Sequence, residues 1–292
     1  SNVNAQFDDG WTPLLLTALN ESPELAARLI QAGADTGAIS PDGDSVLGLS
    51  AEKGHVLALE ALIEAGVPVD QPDRDGATAL HRAIRADRVE AGLFLIDQGS
   101  NVNAQFDDGW TPLLLTALNE SPELAARLIQ AGADTDAISP DGDSVVSLAA
   151  QKGHLELLDA LLAMGLPVDQ TGRNDSTALH RTAMTRRSET ARFLIEKGAN
   201  PNARNDSGLS PLHFSAFGGN ETMAETLLDL GAEIEATDQL GVTPLIMAAQ
   251  QANLPVLKVL LRRGANTGRD PLGEALELRV AAEERHARGQ YF

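Results

Sequence analysis

The chain has 292 residues, a formal charge of −20 from 22 basic and 42 acidic side chains, 43% apolar and 3% aromatic residues, and no cysteine. An acidic surface of this size repels the phosphates of nucleic acids and anionic lipid heads, and without cysteine there is no disulfide or thiolate chemistry. No apolar run approaches the ~18 residues of a membrane span and no signal peptide opens the chain, so a cytoplasmic, reducing location is expected.

Glycine recurs at a step of 33: Gly33, Gly66, Gly99, Gly132, Gly165, Gly198, Gly231 and Gly264. A second series runs through Gly10, Gly43, Gly76, Gly109 and Gly142, is interrupted by Asp175, and resumes at Gly208 and Gly241. A fixed period of this length means stacked copies of one small unit, each unable to bury an apolar face alone.

In the first copy, Asn20-Glu21-Ser22-Pro23-Glu24 predicts the start of a helix, with a serine hydroxyl accepting an orphan N–H, proline at the first helical position and glutamate at the positive end. Asn119-Glu120-Ser121-Pro122-Glu123 repeats it in the fourth copy. In the seventh, Asn205-Asp206-Ser207-Gly208 is a turn, Ser210-Pro211-Leu212-His213 opens a short helix through Phe217, and Asn220 caps a second helix from about Glu221 to Leu230. Gly231 stops that helix, and residues 232–236 are expected to be extended. Residues 268–292 break the pattern. Leu272–Leu278 predicts a degenerate further helix, and the polar stretch with Glu283, Glu284, Arg285, His286 and Arg288 suits a wettable C-terminal cap.

Gly10-Trp11-Thr12-Pro13-Leu14, Gly241-Val242-Thr243-Pro244-Leu245 and Thr78-Ala79-Leu80-His81 resemble the T-P-L-H helix opening of ankyrin repeats. Lys53-Gly54-His55 and Lys152-Gly153-His154 resemble that family's inter-helix turn, and Gly33-Ala34-Asp35 and Gly198-Ala199-Asn200-Pro201-Asn202-Ala203 its loop. The resemblance implies an all-α ankyrin-repeat α-solenoid of about eight repeats over residues 1–267, with turn or β-hairpin-like fingers and a concave groove. Departures are local: Asp175 for a turn glycine, Val46 and Val145 for the proline, Leu15 and Leu114 for the histidine.

A longer period overlies the first. Residues 1–36 are identical to 100–135, and 38–46 to 137–145, so a three-repeat block, 1–99, is duplicated in 100–198 by evolution or by construction. Ser1-Asn2-Val3-Asn4 matches Ser100-Asn101-Val102-Asn103, and this mid-repeat start reads as a piece of a longer protein.

The residues supply little chemistry. His81, His180 and His213 hold the helix-opening position, where the family resemblance implies hydrogen bonds to the neighbouring turn; His55 and His154 lie in the inter-helix turn. No zinc spacing, GxSxG serine or phosphate-binding glycine loop occurs, so no cofactor, metal or catalytic residue is expected.

The positions the resemblance leaves free for a partner are the turn tips and the exposed first-helix face. They are Gln6, Asp8, Asp9, Trp11 and Asn20 in the first copy, and Gln105, Asp107, Asp108, Trp110 and Asn119 in the fourth. The second and fifth copies add Asp42, Asp44, Asp141 and Asp143, and the seventh adds Arg204, Leu209 and Phe217. Trp11 and Trp110 either bind a partner, as tryptophan does at hot spots, or pack over the neighbouring turn. As copies three repeats apart they are spaced by about 30 Å, at about 10 Å per helix layer. Arg82, Arg85 and Arg88, with Arg181, Arg186 and Arg187, either gather an anion or pair with nearby acids.

The expected function is non-enzymatic: a scaffold that binds a protein or peptide with a basic or mixed basic and apolar surface, with neither nucleic-acid binding nor membrane insertion. The alternatives are a regulatory or recruiting segment of a larger enzyme, a bacterial effector or an endosomal trafficking adaptor, and an engineered repeat array.

Overall fold

The computed structural model describes residues 2–7, 10–20, 22–106 and 109–267. The C-terminal helix and cap expected over 268–292 lie outside the described residues. Sixteen α-helices occur among the described residues. They come in pairs: α1 (Pro13–Leu19) with α2 (Pro23–Gln31), α3 (Val46–Lys53) with α4 (Val56–Glu64), α5 (Ala79–Arg85) with α6 (Val89–Asp97), α7 (Pro112–Asn119) with α8 (Pro122–Gln130), and α9 (Val145–Lys152) with α10 (Leu155–Ala163). Three further pairs follow: α11 (Ala178–Ala183) with α12 (Ser188–Glu196), α13 (Pro211–Gly218) with α14 (Glu221–Asp229), and α15 (Pro244–Gln250) with α16 (Leu254–Arg262). The chain divides into two compact units, Ser1–Leu166 and Pro167–Phe292. Within each, first helices pack on first helices and second on second.

Each pair is preceded by a tight finger. One backbone N–H bonds the carbonyl four residues on, from Phe7 to Trp11 (3.0 Å), Asp73 to Ala77 (2.7 Å), Asn205 to Leu209 (3.1 Å) and at the matching place in every other copy. The first helices then start on two kinds of cap. Hydroxyls serve α1, α3, α7, α9 and α15: Thr12 accepts from the Leu15 N–H (3.3 Å) and Ser45 from that of Gly48 (3.0 Å). A valine at the first helical position of α3 and α9 therefore leaves the opening intact.

Imidazoles serve α5, α11 and α13. The Thr78, Thr177 and Ser210 N–H groups each donate to the Nδ1 of the histidine three residues on, at 3.1 Å. Nε2 of the same rings donates to Ala104 O (3.1 Å), Leu209 O (2.9 Å) and Val242 O (3.0 Å), tying each helix to the next finger. Burial lowers all three imidazole pKa values, those of His81 and His180 to about 4, so the rings are neutral and fit the Nε2–H tautomer these bonds require.

Two local expectations are corrected. Ser22 and Ser121 stand at the helix start, but their hydroxyls take no capping hydrogen bond. Ser22 Oγ turns to Asn20 O, and Ser121 Oγ to the Asp87 carboxylate at 3.1 Å. The backbone there is drawn back onto the first helix, Ser22 N–H to Thr17 O, as it is at Asn220, whose longer side chain still reaches the helix end. Residues 232–236 are not extended: Ala236 N–H closes a turn on Glu233 O. Asn220 does cap α14, accepting from the Met223 N–H at 3.2 Å, and Gly231 ends that helix at φ 94°.

The open carbonyls at the ends of first helices are satisfied by the next repeat. His55 Nδ1 bonds Ala18 O (3.0 Å), Arg88 Nε donates to Glu52 O (3.0 Å), His154 Nδ1 bonds Ala117 O (3.2 Å) and Asn253 Nδ2 donates to Ala216 O (2.7 Å).

The duplicated sequence makes the effect of a neighbour visible within unit one. Leu124 is fully buried, its Cδ2 filling space that Gly92 leaves on α6, whereas Leu25, its copy, is 52% exposed. Phe106 packs edge-on to His81 at 4.8 Å and is 8% exposed, whereas Phe7 is 55% exposed. Asn119 donates to Ile84 O and Arg85 O of the preceding repeat, while Asn20 folds back on Leu16 O.

Candidate functional site

In unit one the expected partner residues are partly committed to the scaffold. Asp44 pairs with Arg82 at 2.7 Å. Arg82 also reaches Asp73 at 2.5 Å, Asp75 at 3.5 Å and Glu52 at 3.8 Å. Asp73 occupies the room left by Gly48 and accepts from the Ser45 N–H, a carboxylate from the next finger doing what the histidine does in other copies. Burial raises the Asp73 pKa, and the Ser45 and Arg82 hydrogen bonds oppose that rise. Arg82 is thus an ion-paired, buried side chain rather than an open anion seat.

Asp143 is buried, and its N–H is held by Ser139 Oγ; Asn119 is half-buried against the third repeat. Trp11 and Trp110 are half-buried, their carbonyls closing the fingers. Gln6, Asn20, Asp42, Gln105 and Asp141 are exposed. Asp8, Asp9, Asp107 and Asp108 lie outside the described residues.

Unit two brings two of the expected residues together. Leu209 from a finger and Phe217 from α13 line an open apolar hollow of about 220 Å³, with Met184, His213, Phe214 and Met247. The walls come from three consecutive first helices. Phe214 stacks edge-on against His180 at 5.2 Å, and the hydrogen-bonded ring of His213 forms the floor. Met184 (45%), Phe217 (51%) and the neighbouring Ile246 (44%) remain exposed although large and apolar.

Met184, Phe214 and Met247 were not singled out from the sequence. The i, i+3 pair Phe214 and Phe217 on one helix face was the available signal. Arg204, the other expected residue here, donates to Gly208 O and Thr237 O, so it fastens two fingers.

Among the described residues no group of three or more His, Cys, Asp or Glu could hold a metal ion, and no helix is long and apolar enough to cross a membrane.

The family model for ankyrin repeats (3 copies) matches residues 14–106, 94–172, 113–205, 146–238 and 192–271. The crystal structure of the human ASB11 ankyrin repeat domain is similar to this fold, with a TM-score of 0.67 and 27% identity, over 76% of this chain and 99% of that one. No curated protein sequence matches the chain.

Proposed function

The chain belongs to the ankyrin repeat family, whose members are generally protein–protein interaction modules, and from that premise we propose that it binds another protein or peptide through the side formed by first helices and fingers, the concave side of the family's arrays. The observation that carries the reading is the hollow over α13, where three large apolar side chains stay exposed on one unit. Clustered exposed apolar surface is a common mark of an interaction site, and methionine-lined surfaces adapt to a guest's shape. A preformed stack loses little ordering entropy when it binds. In unit one the half-buried Trp11 and Trp110 are the secondary contact points. The acidic balance favours a partner with basic as well as apolar groups.

The test is retention of a partner on the immobilised chain, compared with Phe217→Ser and with Trp11→Ala/Trp110→Ala. Truncating a true hot spot costs about 2 kcal/mol or more of binding, and the exposed Phe217 leaves the melting transition almost unmoved. Equal retention by Phe217→Ser rejects the hollow as the site.

A further inference from the structure

The hollow falls below the ~300–1,000 Å³ range of small-molecule pockets, so its size suits one large side chain. Beside it stand charged groups of both signs. Asp175 and Asp206 stand at the tips of adjacent fingers, which are joined by the Asp206 N–H donating to Asn174 O at 3.1 Å. Their carboxyl groups are close enough to hydrogen-bond, and this contact, ahead of desolvation and like-charge repulsion, raises the pKa of Asp206. Asp206 precedes Leu209 of the hollow by three residues, so at most about 10 Å of backbone separates the anionic tip from the apolar wall. The exposed Arg186 and Arg187 follow Met184 of the hollow by two and three residues. The finger edge of the hollow thus carries two carboxylates together with Arg204, whose guanidinium is held by the Gly208 and Thr237 carbonyls, while the chain beyond Met184 is basic.

Resting on the reading above, we propose that the occupant is a segment of a partner protein that inserts one large apolar side chain between Phe217, Met184 and Met247 and lays a lysine or arginine, about two to four residues away, against Asp175 and Asp206. A cation there relieves the repulsion between the two carboxylates, and the arginines beyond Met184 set the direction in which the segment lies.

Selection of random twelve-residue peptides displayed on phage against the full chain tests this. The expected winners pair Leu, Met or Phe with Lys or Arg within about four positions. Their synthetic versions bind Phe217→Ser at least tenfold more weakly. They bind Asp206→Asn severalfold more weakly and lose salt dependence there. Winners that need Phe217 but carry no base, or that are indifferent to Asp206→Asn, overturn the inference and leave the hollow's role standing. Selection that yields no peptide dependent on Phe217 overturns both.

Discussion

Asp175 sits where seven other copies carry the finger glycine, yet it adopts the same left-handed backbone, at φ 52°. An L-residue with a Cβ is strained there, and its carboxylate also faces Asp206. Asp175→Gly should therefore raise stability by about 0.5–1 kcal/mol, read as a higher urea midpoint at unchanged slope. It should also weaken peptides held by the acidic tip, the exchange of stability for function expected of a strained binding residue.

The buried histidines make a second residue-scale prediction. His81 and His180 take up a proton at about 4 when folded, against 6.5 ordinarily. The unfolded chain therefore binds more protons between those values. Stability is complete above 6.5 and drains as pH falls toward 4, at about 1.4 kcal/mol per pH unit for each ring. Urea midpoints measured from pH 7.5 to 4.5 should show this slope. His81→Leu should reduce it, because copies one and four already hold a buried leucine at that place, with the threonine hydroxyl as cap.

At the scale of elements, α2 and α8 have one sequence and two environments. Leu124→Ala should cost about 2–5 kcal/mol, as buried leucine truncations do, whereas Leu25→Ala should cost under 1 kcal/mol. Equal losses in chemical denaturation would mean that the first repeat is covered in solution. The α3–α5 contact depends on a different kind of interaction. Arg82→Ala strips the guanidinium from Asp73, whose side chain has no solvent exposure, and should cost about 3–5 kcal/mol, since one partner of a buried ion pair is left uncompensated.

For the whole molecule, stability in a stack is a sum of units and the interfaces between neighbours. Amide hydrogens of α1 and α2 should therefore exchange faster than those of α7 and α8, despite the shared sequence, because Phe7 and Leu25 are exposed where Phe106 and Leu124 are buried. Equal protection would overturn that account.

The same dependence on neighbours explains what could be read in the sequence. The 33-residue period and the cap residues exposed the helix pairs, and the resemblance to ankyrin repeats implied the fingers and the histidine ties, because these are set within one unit and its nearest contact. The hollow was visible only as Leu209 and Phe217, since Met184 and Met247 reach it from neighbouring repeats. Asp73 was missed because its burial depends on Gly48 lying opposite it in another repeat. The exposure of Phe7 and the burial of Phe106 follow from position in the stack, which identical residues cannot encode.

The seat that Gly92 leaves for Leu124 has an evolutionary consequence. The third repeat already fits the sequence that opens the block, so another copy spliced in at that junction would need no compensating change. Unequal crossing-over could lengthen the array in steps of 99 residues with the joint matched wherever the third repeat precedes the block's opening, whereas the sixth repeat, with Ala191 in place of Gly92, lacks that seat.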